Sequence, residues 1–272
     1  MNTSLIPERL FPEQPEWRLY GHQHVQRYRF ALERLKNSRV LDAACGCGYG
    51  SFILANNGAN RVTGVDIDPE SISYSNRIYK MDGISFVVGN ALTLPSESGQ
   101  MDAVVSYETI EHLGRPIEFL TEINRVLRPG GTLILSAPNA LAHGRAIPPK
   151  PNPYHLSEPV YAELREWLEP HFVIEEEWEQ SFVVPSATFD QETCRLQREA
   201  LAPSGILGVL RRLENLARRV IGRTPLGQRP SPRPADTGAI SLLHVSTDIV
   251  PLLPERRSVC DTFLFVAKRK AH

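Results

Sequence analysis

The hydrophobic pattern of the chain alternates between two periods from residue 39 onward. Short apolar runs rich in valine, isoleucine and leucine indicate buried strands, and the stretches between them have the character of helices. Strands that alternate with helices favour a parallel sheet that is covered on both faces and joined by right-handed crossovers. The predicted strands lie at about 39–43, 61–66, 84–89, 102–107, 131–137 and 172–182.

Capping and breaker signals mark the ends of the predicted helices. Asp68 followed by Pro69 indicates an N-cap and a first helical residue, so a helix is expected to run from there to about Tyr79. A helix at about 115–127 should stop at the breaker turn of residues 128–131, which reads Arg-Pro-Gly-Gly. Two further helices are predicted at about 16–35 and 159–169.

The whole chain, residues 1–272, is predicted to form a single domain with appendages. Its parts are an N-terminal helical extension (1–36), a core (37–182 and 256–270) and a helical insertion (183–255). Within the insertion, residues 191–222 are predicted to be largely helical with a break at 203–205. After the break, apolar side chains fall on one helical face and arginines on the other, before a Pro/Arg-rich linker at 227–238. This helix is expected either to pack on the core or on a partner subunit, as in a homodimer, or to serve as a lid or a basic contact surface.

Charge and composition exclude several classes of protein. The formal net charge of −1 gives no bulk attraction to nucleic acid. No run approaches the roughly 18 apolar residues that cross a bilayer, and Met1–Glu16 lacks the apolar core of a signal peptide. The four cysteines form no C-x-x-C pair, which favours a reducing compartment over zinc or disulfide roles. We therefore expect a cytoplasmic protein with no integral membrane segment and no nucleic-acid partner.

A glycine-rich turn follows the first predicted strand. The turn reads Asp42-x-Ala44-x-Gly46-x-Gly48-x-Gly50, and a second acid, Asp66, ends the next strand. Acids and a glycine turn at the carboxyl ends of adjacent parallel strands form a nucleoside-binding site. A dinucleotide turn requires G-x-G-x-x-G, whereas Ser51 occupies the third glycine position here.

The glycine turn resembles the first motif of class I S-adenosylmethionine-dependent methyltransferases, with Ala44 in place of the first glycine. Four later segments resemble further motifs of that family, in its order and at its spacings. They read V-T-G-V-D-I-D-P (62–69), F-V-V-G-N-A-L-T-L-P (86–95), D-A-V-V-S-Y-E-T-I-E-H-L (102–113) and L-R-P-G-G-T-L-I-L-S-A-P-N (127–139). The resemblance implies a Rossmann-like fold with a mostly parallel seven-stranded sheet, helices on both faces and an antiparallel last strand at 262–267.

The resemblance also implies S-adenosyl-L-methionine as the cofactor and assigns roles to residues of the turn. The backbone at Ala44, Gly46 and Gly48 would hold the methionine part. Asp42 would orient the turn or engage the cofactor's ammonium group, directly or through water. Asp66 would accept both ribose hydroxyls, because a carboxylate offers two acceptors to two adjacent donors.

Residues beyond the turn would complete the cofactor site. By the same resemblance, Ile67 would pack on the adenine, and Asn90 with Ala91 would contact its polar edge, although the family often has an acid at position 90. Tyr107 ends the fourth strand beneath the reacting centre. Arg27-Tyr28 resembles a pair found in sugar- and glycan-pathway relatives, in which the arginine would hold the cofactor's carboxylate. The alternative for Arg27 is a surface arginine beside a core tyrosine.

Two histidines are candidates for a catalytic base that takes a proton from a hydroxyl acceptor. His112 follows the fourth strand, where Glu108 and Glu111 could orient it, and His155 lies in the Asn-Pro-Tyr-His loop of residues 152–155. Structural roles for both histidines stay open. The spacing of the other histidines indicates no metal site. The loop resembles those of enzymes that methylate surface polysaccharides and antibiotic sugars.

The expected activity is therefore O-methylation of a small molecule or glycan precursor. Transfer to nitrogen or carbon by the same scaffold is an alternative. A second alternative is an NAD-binding oxidoreductase, but the third glycine of the dinucleotide motif is missing. A third alternative is a catalytically silent binding module, but the presence of Asp42, Asp66 and His112 argues against it.

Overall fold

The computed structural model describes residues 10–12, 17–143, 154–180, 249–257 and 260–271, all within one compact unit. Three predicted features lie outside the described residues, namely the insertion helix (191–222), its linker (227–238) and most of the proline-rich loop before Tyr154. The strands are β1 (Arg39–Ala43), β2 (Arg61–Asp66), β3 (Ile84–Val88), β4 (Met101–Tyr107), β5 (Leu127–Pro138), β6 (Phe172–Gln180), β7 (Val250–Pro251) and β8 (Thr262–Arg269). The helices are α1 (Trp17–Leu32), α2 (Tyr49–Asn56), α3 (Pro69–Ile78), α4 (Pro116–Val126), α5 (Ala140–His143) and α6 (Tyr161–Leu168).

The strands form one mixed sheet in the order β3-β2-β1-β4-β5-β8-β6-β7. Strands β1 to β5 pair in parallel, and β8 runs antiparallel between β5 and β6. The seven predicted strands are all present, and the two-residue strand β7 extends the sheet beyond β6. The chain leaves β1 toward β2 on one side and reaches β4 on the other, which opens a crevice at the carboxyl ends of these strands.

Both faces of the sheet are buried, as the β/α alternation predicts. Successive residues of a strand point to opposite faces. Accordingly Val40 packs in the core beneath α1, α2 and α3, whereas Leu41 packs in the core beneath α4 and α6. The same alternation recurs in β5, where Ile134 faces the first core and Leu133 the second.

Local signals set the ends of two helices as expected. The Asp68 carboxylate accepts hydrogen bonds from the backbone N–H of Ser71 at 2.9 Å and from its hydroxyl at 2.7 Å, so Asp68 caps α3. Helix α4 ends at Val126, but no separate turn follows it. Strand β5 begins at Leu127, and the predicted breaker turn lies within its first residues, where the pairing with β4 shifts register.

Candidate active site

One cavity opens at the carboxyl ends of β1 to β4. Its volume of about 440 Å³ lies within the range of small-molecule sites. The sequence-predicted residues on its wall are Tyr28, Ala44, Gly46, Asp66, Ile67, Asn90, Ala91, Tyr107 and His112. Four other predicted residues, Arg27, Asp42, Gly48 and His155, are absent from the described part of that wall. The cavity therefore joins the glycine turn at one end to His112 at the other.

Only one of the predicted glycines in the turn leaves open space for a ligand. Gly46 has φ +54°, and a side-chain carbon added to it would meet nothing within 4 Å. Gly48 has φ +81°, and an added carbon would lie 2.6 Å from both Phe86 and Ser75. The glycine at position 48 is therefore required by its backbone conformation and by packing, and not by direct contact with a ligand in the cavity.

Asp42 supports the turn from below. Its fully buried carboxylate accepts hydrogen bonds from the Ser51 hydroxyl at 2.6 Å and from the Tyr28 hydroxyl at 3.2 Å to each oxygen. Burial raises the pKa of Asp42 to about 7, although the bonds from Ser51 and Tyr28 act in the opposite direction. This geometry fits the predicted role of Asp42 in orienting the turn, and contact of Asp42 with a cofactor ammonium group stays a prediction.

Asp66 is held in position by the loops on either side of it. Its two carboxylate oxygens accept the backbone N–H of Gly46 at 2.8 Å and that of Asp68 at 2.9 Å. The residue is 5% exposed and lies on the cavity wall at the end of β2. A polar ligand beside the glycine turn would therefore meet a carboxylate of fixed orientation.

The neighbouring part of the wall combines an apolar surface with a polar turn. Ile67 is 62% exposed and lies on the cavity wall, where it offers an apolar surface. The side-chain oxygen of Asn90 accepts the backbone N–H of Leu92 at 2.9 Å. Asn90 therefore shapes its own turn, a role that the sequence analysis did not include, and Ala91 follows it on the wall.

Arg27 is 3% exposed, so it is not the surface arginine of the alternative interpretation. Its Nε donates to Oε1 of Gln180 at 2.8 Å, and its Nη1 lies 3.4 Å from Oε1 of Glu108, a residue of the cavity wall. A role for Arg27 in holding a cofactor carboxylate stays a prediction. Tyr107 donates its hydroxyl hydrogen to the backbone carbonyl of Arg27 at 3.1 Å, which joins β4 to α1.

The two candidate histidines are neighbours, and His112 is the one that lies on the described cavity wall. Their rings are perpendicular, with centroids 5.0 Å apart. Nδ1 of His112 lies 3.1 Å from the carbonyl oxygen of Tyr154, and Nδ1 of His155 lies 2.9 Å from the carboxylate of Glu158. The loop is held there because the carbonyl of Glu111 accepts the backbone N–H groups of residues 156 and 157 at 2.7 and 2.9 Å.

The two acids expected to orient His112 behave differently. Glu108 instead accepts the Ser136 hydroxyl at 2.7 Å and faces Arg27. Glu111 is 1% exposed, and its Oε1 lies 3.8 Å from Nε2 of His112. Burial, and after it the charge of Glu108, raise the pKa of Glu111 well above its usual range.

Sequence spacing indicated no metal site, yet ligand atoms of Glu111, His112 and His155 lie within 4.8 Å of one another.

Other residues on the wall were not predicted. The Tyr49 hydroxyl lies 3.0 Å from Nδ1 of His24, and burial, with Arg27 second, lowers the pKa of His24 to about 3. His24 is therefore neutral near pH 7. The spacing of His24 and Tyr28, one helical turn apart in α1, was the signal that could have placed both at the cavity. Cys45, also on the wall, has its pKa raised by burial and by Asp42, so its thiol is unreactive.

Most residues that line this cavity fall within the part of the chain that matches a known family. Residues 41–135 match a family model described as a methyltransferase domain. A probable S-adenosylmethionine-dependent methyltransferase of Mycolicibacterium smegmatis is 35% identical over 165 residues, which cover 61% of this chain and 63% of that protein. A fatty-acid O-methyltransferase of the same species is 38% identical over 98 residues, 36% of each chain. The matched region thus spans less than two thirds of the length of either relative.

A solved structure shares the fold across most of the chain. The methyltransferase in complex with the Haloferax volcanii Trm112 methyltransferase activator superposes with a TM-score of 0.57 over 94% of both chains. At 21% identity, this likeness shows the fold alone. Among the described residues, no helix has the length and hydropathy needed to cross a membrane.

Proposed function

We propose that this protein methylates an oxygen of a small molecule or glycan precursor. The chain contains a class I S-adenosylmethionine-dependent methyltransferase domain. S-adenosyl-L-methionine is the cofactor of this domain. The observation that carries the proposal is that one continuous cavity joins the glycine turn and Asp66 to His112. A donor bound at the first end and an acceptor at the second would share this space.

The residues at the turn fit the cofactor. Asp66, fixed by the backbone of Gly46 and Asp68, would accept the two ribose hydroxyls. The open space at Gly46 supports a role in holding the methionine part close to the backbone. The exposed Ile67 and the neighbouring Ala91 would receive the adenine ring.

The cofactor supplies a methyl group made labile by its positive sulfur. The C–S bond breaks as the C–O bond forms, and the C–S electron pair stays on the sulfur, which leaves a neutral thioether. The chain's own contribution is to hold the acceptor in line and to exclude water. The acceptor's proton would pass to the imidazole of His112, which lies on the cavity wall.

Two observations support oxygen as the methylated atom. A histidine at the acceptor end suits a hydroxyl, which must lose its proton, and one relative is a fatty-acid O-methyltransferase. Leu113 and Tyr154 lie beside His112 on the wall, so this end accommodates an acceptor with apolar parts. We extend the acceptor class to lipids that carry a hydroxyl or carboxyl group, beside the glycan precursors expected from the Tyr154-His155 loop.

The experiment has two stages. Calorimetry of the full chain with S-adenosylhomocysteine and with NAD tests the cofactor, and we expect saturable binding of the first alone. Transfer of radiolabelled methyl from S-adenosylmethionine is then measured with panels of hydroxylated glycan precursors, fatty acids and amines. A folded chain that does not bind S-adenosylhomocysteine would refute the proposal. Binding without transfer to any acceptor would favour a silent module, and transfer to amines alone would replace oxygen by nitrogen.

A further inference from the structure

Three potential metal ligands meet at the edge of the cavity. Glu111 and His112 belong to a short 3-10 helix after β4, and His155 comes from the segment before α6. One ligand atom from each lies within 4.8 Å of the others. Backbone hydrogen bonds from residues 156 and 157 to the Glu111 carbonyl bring the two segments together, so the cluster is built into the fold.

A buried carboxylate oxygen gives independent evidence of a missing partner. Glu111 is 1% exposed, and its Oε2 is buried and has no hydrogen-bond partner. A buried carboxyl oxygen without a partner is unfavourable whether the group is charged or neutral, and native structures rarely retain one. A cation beside Oε2 would supply the missing partner.

The imidazoles are oriented as metal-bound histidines usually are. Each has its Nδ1 beside an oxygen, the Tyr154 carbonyl for His112 and the Glu158 carboxylate for His155. Metal-ligating histidines commonly use one ring nitrogen for such an outer contact and the other for the metal. This assigns the ligand role to Nε2 in both rings, and Nε2 of His112 already faces the Glu111 carboxylate at 3.8 Å.

We infer that Glu111, His112 and His155 bind one divalent transition-metal cation. Two imidazoles and a carboxylate are a ligand set of catalytic zinc sites, and imidazole also suits iron, nickel and copper, whereas magnesium prefers oxygen ligands. Ligand atoms about 2.1 Å from a tetrahedral metal are about 3.4 Å apart. Small side-chain rotations would therefore close the observed cluster around a cation.

This inference rests on the proposed methyl transfer and changes one part of it. His112 lies on the cavity wall, so a cation on its Nε2 would border the acceptor. A hydroxyl oxygen bound to the cation loses its proton more readily. That proton would pass to solvent water, after which the C–O bond forms and the C–S bond breaks as before. His112 would then act as a ligand and not as the base.

The test uses the full chain after treatment with EDTA and dialysis. Titration with Co²⁺ is followed by visible absorption, and calorimetry is carried out with Zn²⁺ and Mg²⁺. We expect one Co²⁺ or Zn²⁺ per chain and no comparable binding of Mg²⁺. His155→Ala and Glu111→Gln each remove a ligand and should weaken Co²⁺ binding by roughly 100-fold or more. Glu158→Gln changes only the outer contact of His155, so a smaller loss of roughly 10- to 100-fold is expected. His171→Ala is the matched control, since His171 contacts Thr121 outside the cluster.

Absence of saturable binding, or binding that both cluster variants retain, would overturn the inference. Thermal unfolding followed by circular dichroism checks that each variant folds, and His155→Gln replaces any variant that does not. S-adenosylhomocysteine binding is measured on the same samples. If the cofactor product binds and no cation does, only the metal site fails. If cations bind and the cofactor product does not, the proposed function fails.

Discussion

The hydroxyl of Tyr28 lies 3.2 Å from each carboxylate oxygen of Asp42. This contact joins helix α1 to the end of strand β1 beneath the glycine turn. The Ser51 hydroxyl, 2.6 Å from the same carboxylate, adds helix α2 to the junction. The acid of the first motif therefore fixes three elements around the cavity floor, and it does so in a fully buried position.

Burial of Asp42 predicts a pH dependence of stability. Its pKa is raised from an ordinary value of 3.8 to about 7, so between these values the folded chain keeps a proton that the unfolded chain has lost. The contribution of protonated Asp42 to the free energy of unfolding is therefore fully present below pH 3.8 and is lost as the pH rises through about 7. The free energy of unfolding should fall across this interval more steeply in the wild type than in Asp42→Asn.

Urea denaturation at several pH values measures this difference, because the contributions of other groups are common to both proteins. The slopes should differ by at most one proton, about 1.4 kcal/mol per pH unit. Parallel slopes for the wild type and Asp42→Asn would show that the carboxyl ionises normally despite its burial.

The close packing of α1 on α2 predicts a large effect of one methyl group. A side-chain carbon on Gly50 would overlap the ring of Tyr28. Because that ring is held by Asp42, Gly50→Ala should lower the free energy of unfolding by about 1–3 kcal/mol. In the control, Gly114→Ala, the added carbon would meet only Leu156 at 3.9 Å, so a change within about 0.5 kcal/mol is expected. Equal denaturation midpoints for the two variants would contradict this account.

The sheet and the part of the cavity formed by the glycine turn were predictable from sequence because their signals are local. The short apolar runs, the Asp68-Pro69 cap and the glycine turn are each made by residues that are close together in the sequence. Strands β1 and β2 and helix α3 lie where these signals place them. The antiparallel position of β8 has no local signal. It followed only from the resemblance to the methyltransferase family, and its pairing with β5 and β6 confirms it.

The contacts at the site that sequence reasoning did not indicate join distant residues. Arg27 donates a hydrogen bond to Gln180, which is 153 positions away, and no pattern within α1 indicates that partner. Likewise, His155 joins Glu111 and His112 only because backbone bonds tie its loop to the 3-10 helix. The motif left two roles open for Asp42, and the full burial of its side chain, which favours orientation of the turn, has no local sequence signal.

The fixed carboxylate of Asp66 predicts a specific loss of cofactor affinity. Asp66→Ala removes the acceptor proposed for both ribose hydroxyls and should weaken S-adenosylhomocysteine binding at least tenfold, about 1.4 kcal/mol. Calorimetry measures the affinity, and Glu70→Ala on the exposed start of α3 is the matched control. A folded Asp66→Ala protein with wild-type affinity would exclude the ribose assignment.

The position of His112 predicts a separation of turnover from cofactor binding. Its ring lies on the cavity wall at the end away from the glycine turn, so His112→Ala should leave S-adenosylhomocysteine affinity within about twofold, roughly 0.4 kcal/mol. Turnover should fall by roughly 100-fold or more, because the imidazole either takes the acceptor's proton or holds the cation that promotes its loss. Single-turnover methyl transfer measures the chemical step, with His171→Ala as the control. Near-normal turnover in a folded His112→Ala protein would leave this histidine a structural role only, as the residue that joins the 3-10 helix to the Tyr154 carbonyl.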